Sequence, residues 1–203
     1  NIISKINTPK IIIGQATAQR ARAMRMRVIA YDPYLRPGTE KVFGVEMVSF
    51  EELLSTSDVV SLHSPLTKET EGLIDDDALS RMKSDSILVN TSRGSVVNTA
   101  ALAKALRSGK IAAAGIDVLP IEPASEDEPL IQLWREADET NVNLIITPHT
   151  AFYSAEAMLE IRTKTAMEVA RALRGEKLVN CVNSQWLSND VCRRVLVGIP
   201  PTL

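Results

Sequence analysis

The sequence predicts an α/β fold built on a doubly wound parallel sheet. Three observations carry this. Short runs of β-branched and aliphatic residues alternate with helical patterns through most of the chain. Several of those runs are continuously apolar, without period-2 alternation, as strands covered on both faces require. The helical segments between them can serve as the crossovers of βαβ units.

The predicted strands span residues 10–13, 27–31, 45–48, 58–62, 86–90, 112–117 and 143–147. Between the first two, residues 15–24 are rich in Ala and Arg and read as a helix. Residues 51–56 follow a capping box, Ser49 with Glu52 three positions on. Helices over 76–82 and 99–108 come next, the second closed by Gly109 in the C′ position. The longest predicted helix, 155–174, makes about five turns at ~3.6 residues per turn and ends at Gly175. Residues 120–140 form an acidic insertion with Pro123 and Pro129, read as a surface loop carrying a short helix over 130–137. The 184–203 tail has no clear periodicity and is expected to be partly disordered.

Composition excludes several classes. The chain has 203 residues, 45% hydrophobic and 24% charged, with a formal net charge of -2. These are ordinary values for a globular protein and argue against direct nucleic-acid binding. Cys181 and Cys192 are too few for a disulfide framework and show no metal-ligand spacing, so no metal is expected. No stretch approaches the roughly 20 apolar residues of a membrane span, and the first residues lack signal-peptide features. The chain starts at Asn1 and not at Met, which reads as a processed or partial product. It holds only nine glycines, where about 7% would be usual.

In a parallel sheet of this kind the carboxyl ends of the strands bind ligands. Asp32 closes the second strand, where a carboxylate accepts hydrogen bonds from the ribose hydroxyls of an adenosine cofactor and repels a 2′-phosphate, favouring NAD over NADP. The alternative is a turn-forming Asp before Pro33. Gly14 lies eighteen residues earlier, a spacing that suits the third glycine of a dinucleotide fingerprint. That register places the first two glycines at Pro9 and Ile11, so the phosphate loop is expected to be lost or replaced. Otherwise Gly14 merely starts a helix packed closely on the sheet. Arg93 follows the fifth strand and is either a surface arginine or a planar fork for a carboxylate or carbonyl. Asp117 ends the sixth strand, as a ligand acceptor or an N-cap, and Glu122 follows five residues later. His149 follows the last strand and suits a general acid/base whose pKa a carboxylate would raise; the alternative is a structural histidine. His63 also follows a strand and is read as serving its own loop.

Five motifs keep a common order: Val28-Ile-Ala-Tyr-Asp32-Pro33, Ser61-Leu-His63-Ser-Pro65-Leu-Thr67, Leu88-Val-Asn-Thr-Ser-Arg93-Gly94, Gly115-Ile-Asp117-Val118 followed by Glu122-Pro123, and Thr147-Pro-His149. With them the run from about Arg27 to Asn183 resembles the NAD-binding domain of the D-isomer-specific 2-hydroxyacid dehydrogenases, a Rossmann-like fold. Ala151-Phe-Tyr-Ser154 and Asn180-Cys-Val-Asn183 look most like the C-terminal-binding-protein branch, which includes corepressors that bind NAD.

The resemblance implies hydride transfer between a nicotinamide and C2 of a small 2-hydroxy or 2-oxo acid. It matches Arg93 to the arginine that holds the substrate carboxylate and carbonyl, His149 to the acid/base, and Glu122 to its carboxylate partner. Among cofactor contacts it matches Asp32 to the ribose ligand and Asp117 to the residue near the nicotinamide amide. Thr91, Arg93 and His149 border the cofactor, and Gly14 belongs to the phosphate loop. Phe152 stands where the corepressor branch usually has a tryptophan beside the substrate. The resemblance further implies residues 1–183 as the NAD-binding domain, with 184–203 unassigned and most of the separate substrate domain absent, so the chain reads as N-terminally truncated. A homodimer is expected, with the 155–174 and 99–108 helices as contacts, and a cytoplasmic location. The competing readings are a corepressor-like interaction module, with protein partners and a nuclear location, and an inactive truncated paralogue.

Overall fold

Runs such as Val59-Val60, Ile87-Leu88-Val89 and Leu144-Ile145-Ile146 form strands of one parallel sheet in the computed structural model, which describes residues 2–3, 12–136 and 141–181. The strands are β1 (Ile2–Ile3), β2 (Ile29–Tyr31), β3 (Glu46–Met47), β4 (Val59–Leu62), β5 (Ile87–Asn90), β6 (Ala113–Ile116) and β7 (Asn143–Ile146). They make one sheet in the order β3-β2-β1-β4-β5-β6-β7, every pair parallel. The helices are α1 (Ile12–Ala23), α2 (Thr39–Phe43), α3 (Phe50–Thr56), α4 (Asp76–Arg81), α5 (Thr99–Arg107), α6 (Pro129–Arg135) and α7 (Ala155–Leu173).

Helix starts follow the side chains available to cap them. Ser49 Oγ accepts from Glu52 N at 3.1 Å, Asp75 Oδ1 from Ala78 N at 2.9 Å and Asn98 Oδ1 from Ala101 N at 3.1 Å. Each such cap contributes on the order of 1 kcal/mol. Gly109, at φ 67°, closes α5 in the left-handed conformation that glycine adopts without strain.

Helices α3, α4, α5 and α6 pack one on the next. Their Leu53, Leu54, Leu79, Leu102, Leu106, Leu130 and Leu133 bury against Val60, Leu62, Leu88, Ile116 and Leu144 of the sheet. Burying each of these leucines is worth roughly 1.5–3 kcal/mol, so this layer fixes the positions of β4 to β7. Helices α1 and α2 pack on each other, with Ala18, Ala21, Val28 and Val45 as a smaller cluster. The connections after β4, β5 and β6 all lie in the α3–α6 layer. On the opposite face, therefore, Ile87 and Ile145 remain 39% and 63% exposed, less covered than their apolar runs predict.

One predicted strand is corrected. Ile12 and Ile13 form the first turn of α1, and the strand between β2 and β4 is Ile2–Ile3, with Ile2 opposite Ala30 and Ser61. A short apolar run has no period that separates a strand from a helix start, and here the Gln15-Ala16-Thr17-Ala18 continuation extends the helix. Gly14 consequently sits buried inside the first turn of α1. Positions 9 and 11, where the fingerprint glycines were sought, lie outside the described residues, as do Ala137 and the 184–203 tail with Cys192. Helix α2 was not foreseen, because its five residues are too few to show a period.

The chain divides into two compact units, Asn1–Ala151 and Phe152–Leu203. In the second, Ser154 Oγ caps α7 by accepting from Ala157 N at 3.1 Å. Glu168 accepts from the main-chain N–H groups of Val179 at 3.0 Å and Asn180 at 3.3 Å, tying the returning segment to the helix. Among the described residues no helix is long and apolar enough to cross a membrane.

Candidate active site

The loops after β5, β6 and β7 meet at the carboxyl edge of the sheet. After β5, the buried Asn90 side chain holds the turn: its Nδ2 donates to Arg93 O at 3.0 Å, and its Oδ1 accepts from Ser92 N at 3.0 Å and Ser92 Oγ at 2.8 Å. Gly94 follows and starts a short 3-10 turn, Gly94–Val96. A Cβ on Gly94 would lie 2.0 Å from the carbonyl carbon of Leu119 and 2.3 Å from Pro120 N, so only glycine lets the two backbones meet. This approach brings Arg93 beside the loop after β6.

That loop carries Glu122, whose Oε1 accepts from Leu119 N at 2.9 Å. Its Oε2 lies 2.6 Å from His149 Nδ1. Burial pushes the Glu122 carboxyl up, but the hydrogen bonds from His149 and from Leu119 N–H outweigh it and hold the group below the usual carboxylate range. An ionised carboxylate only accepts, so Nδ1 carries the proton and Nε2 is the ring position where a second proton is gained or lost.

Asp117 fixes the histidine loop. Its Oδ1 accepts from Thr147 Oγ1 at 2.5 Å and Thr150 N at 2.8 Å, and its Oδ2 accepts from Ala151 N at 3.0 Å. Its main-chain O accepts from His149 N at 2.8 Å. His149 itself is held at φ 52°, a left-handed conformation that a side chain adopts at a cost of on the order of 1 kcal/mol. Burial pushes the Asp117 carboxyl up; the three hydrogen bonds, with help from the nearby His149, reverse this and bring it below its usual value. Asp117 is therefore a clamp on residues 147–151 and not the cap of a helix.

Arg93, Glu122 and His149 line one cavity of about 290 Å³, together with Leu66, Ser95 and the Val118–Pro120 backbone. An apolar cavity of about 440 Å³, walled by Pro123, Ile131, Trp134, Ile146 and Pro148, shares Leu119, Glu122 and His149 with it. The three residues predicted to carry chemistry thus share one cavity. Thr91 lies directly past the end of β5, next to the Asn90 turn. Asp32 directly follows β2, is buried, and accepts from Tyr34 N at 2.9 Å, so it forms the turn at the carboxyl end of that strand. Phe152 belongs to the second unit, half exposed and edge-on to Tyr153 with ring centroids 6.2 Å apart. Asn90, Gly94 and Thr147 were missed as site residues. A buried polar residue at the end of an apolar strand was the available signal for Asn90, and Asp32 and Asp117 fit the same pattern.

His63 reaches back to its own strand, with Nε2 3.0 Å from Ser61 Oγ of β4. Burial lowers its pKa from 6.5 to about 4. Between those values the unfolded chain binds a proton that the folded chain does not, so stability falls as pH drops from 6.5 towards 4. From pH 7 to pH 5 this residue is expected to remove up to about 2 kcal/mol. Urea midpoints at the two pH values should fall less for His63→Gln than for the wild type.

The sheet order reverses direction between β1 and β4, the switch point at which doubly wound sheets bind nucleotides. Asp32 lies on one side of that point; Thr91 and Asp117 lie on the other, all at carboxyl ends. This set of groups suits a dinucleotide: a carboxylate towards β2, and polar groups with an imidazole towards β6 and β7. The fold and site together define a dinucleotide-binding domain. Residues 12–151 match the D-isomer specific 2-hydroxyacid dehydrogenase NAD binding domain, and the chain belongs to that family. It is 44% identical to a glyoxylate reductase of Korarchaeum cryptofilum, over 85% of this chain and 50% of that one. It is 43% identical to a D-3-phosphoglycerate dehydrogenase of Mycobacterium leprae, over 84% of this chain and 31% of that one. A solved D-lactate dehydrogenase from Aquifex aeolicus, complexed with NAD and lactic acid, superposes with TM-score 0.73 at 34% identity, covering 86% of this chain and 54% of that one. The chain spans half or less of the length of these two curated relatives.

Proposed function

We propose that the chain is the cofactor-binding half of an NAD-dependent 2-hydroxyacid dehydrogenase that interconverts a small 2-hydroxy acid and its 2-oxo acid. The observation that carries this reading is the His149–Glu122 pair at 2.6 Å sharing a cavity with Arg93. Asp32 would hold the adenosine ribose, with Gly14 close to the phosphates. Thr91 and Asp117 would border the nicotinamide, whose reduced form supplies the hydride to C2.

The chain's own residues do the rest. The Arg93 guanidinium pairs with the substrate carboxylate and draws charge towards the C2 carbonyl. His149 Nε2 gives a proton to the C2 oxygen during reduction and takes it back during oxidation. Glu122 holds the ring in the tautomer that exposes Nε2 to this exchange and balances the imidazolium charge.

A second reading, a corepressor-like dimerising module close to the C-terminal-binding-protein branch, rests on the Ala151-Phe-Tyr-Ser154 motif. The exposed Leu159, Ile161, Met167, Val169 and Leu173 on α7 favour a contact there. The matched glyoxylate reductase and phosphoglycerate dehydrogenase weigh towards the enzyme, and a cytoplasmic location goes with it. The purified protein with NADH and glyoxylate, pyruvate or hydroxypyruvate should lose nicotinamide absorbance with at least one acid. No loss with any of the three, despite NADH binding by calorimetry, would favour the second reading.

A further inference from the structure

We infer that Asn90 is a positioning residue that keeps Arg93 in register with the His149–Glu122 pair. The role of Arg93 rests on the dehydrogenase reading; the geometry that holds it does not. Asn90 ends β5 at 1% exposure, where its neighbour Leu88 shows that an apolar side chain would be at home. A buried amide is destabilising unless its polar atoms are satisfied. Here the three partners that satisfy it all lie within the next three residues: Ser92 N, Ser92 Oγ and Arg93 O. The amide therefore serves the arginine turn and not the sheet.

The same residue connects the turn to the histidine loop. The main-chain O of Asn90 accepts from Asp117 N at 2.9 Å, and Asp117 clamps residues 147–151. Arg93 is held from the end of β5, and His149, which follows β7, is held through Asp117 at the end of the adjacent β6, with Gly94 closing the distance to Leu119. Freed from Asn90, the main chain at Arg93 can rotate while the β5–β6 pairing stays intact. The long arginine side chain then magnifies that rotation at its guanidinium.

Asn90→Asp keeps the shape and the acceptor for Ser92 but sets a carboxylate oxygen against the Arg93 carbonyl. Oxamate, which carries the carboxylate and carbonyl of a 2-oxo acid, is titrated into the NADH-saturated protein. Affinity for oxamate should fall about tenfold or more, with NADH affinity unchanged. Unchanged oxamate affinity would overturn the inference, since a residue needed only for folding would not select the arginine's ligand. If Asn90→Asp does not fold, Ser92→Ala removes one bond of the same network and should weaken oxamate binding by a smaller factor; no weakening overturns the inference. Should the wild type bind no oxamate, the dehydrogenase reading fails by itself. The inference is then decided by the Arg93 main-chain amide order parameter. In the variant it should drop from about 0.85 towards 0.6, and an unchanged value refutes it.

Discussion

His149→Gln is expected to lower turnover of the 2-oxo acid by about 10²–10⁴-fold, the usual worth of a positioned acid/base, while NADH affinity stays within about twofold. The reason is specific to one atom. Glutamine can still place a donor near Glu122, so the hydrogen bond to the carboxylate need not be lost. It has no group that exchanges a proton near neutral pH at the position of Nε2. Glu122→Gln makes a milder change, because it leaves the imidazole in place and removes the charge that orients it. Its turnover should fall less than that of His149→Gln. Steady-state NADH oxidation gives the rates, and calorimetry gives the cofactor affinity. Full activity in His149→Gln would remove the acid/base assignment and leave the pair a structural contact.

Gly94→Ala should cost about 3 kcal/mol or more of stability and abolish oxamate binding in the protein that still folds. The added methyl meets Leu119 O at 2.2 Å and the carbonyl carbon at 2.0 Å. Both atoms belong to main chain held by Glu122 through Leu119 N. No side-chain rotation relieves such a clash, so the Arg93 and Glu122 loops must part. Gly115→Ala is the matched control. A Cβ there meets nothing within 4 Å, and the change should move the urea midpoint by no more than about 0.5 kcal/mol in stability. Equal effects of the two substitutions would refute the close approach.

Much of the fold was legible because strands and helices announce themselves by period and by caps. Ser49 with Glu52, and Gly109 after α5, are local signals that act within one turn. Residues 10–13 show where that reading fails. Ile11-Ile12-Ile13 has no internal period, and its assignment depended on which strand found partners in the sheet. At the site, Arg93 and His149 were legible as residue types just past strand ends, and Glu122 as a carboxylate five residues after Asp117. Asn90, Gly94 and Thr147 were not, because their roles lie in contacts across the chain.

The sequence by itself determined the order of the elements, the nature of the strand ends and the set of groups able to bind anions or move protons. Its motifs also carried the family. Tertiary structure alone decided that Asp117 acts as a clamp on the histidine loop. It also decided that Gly94 is held in place by the Leu119 backbone. The physical reason is reach. Propensity and capping act over a few residues, whereas a hydrogen bond between residues 122 and 149 exists only after the packed α3–α6 layer has set β5, β6 and β7 side by side. Of the few glycines in the sequence, Gly94 stands where the loops after β5 and β6 touch.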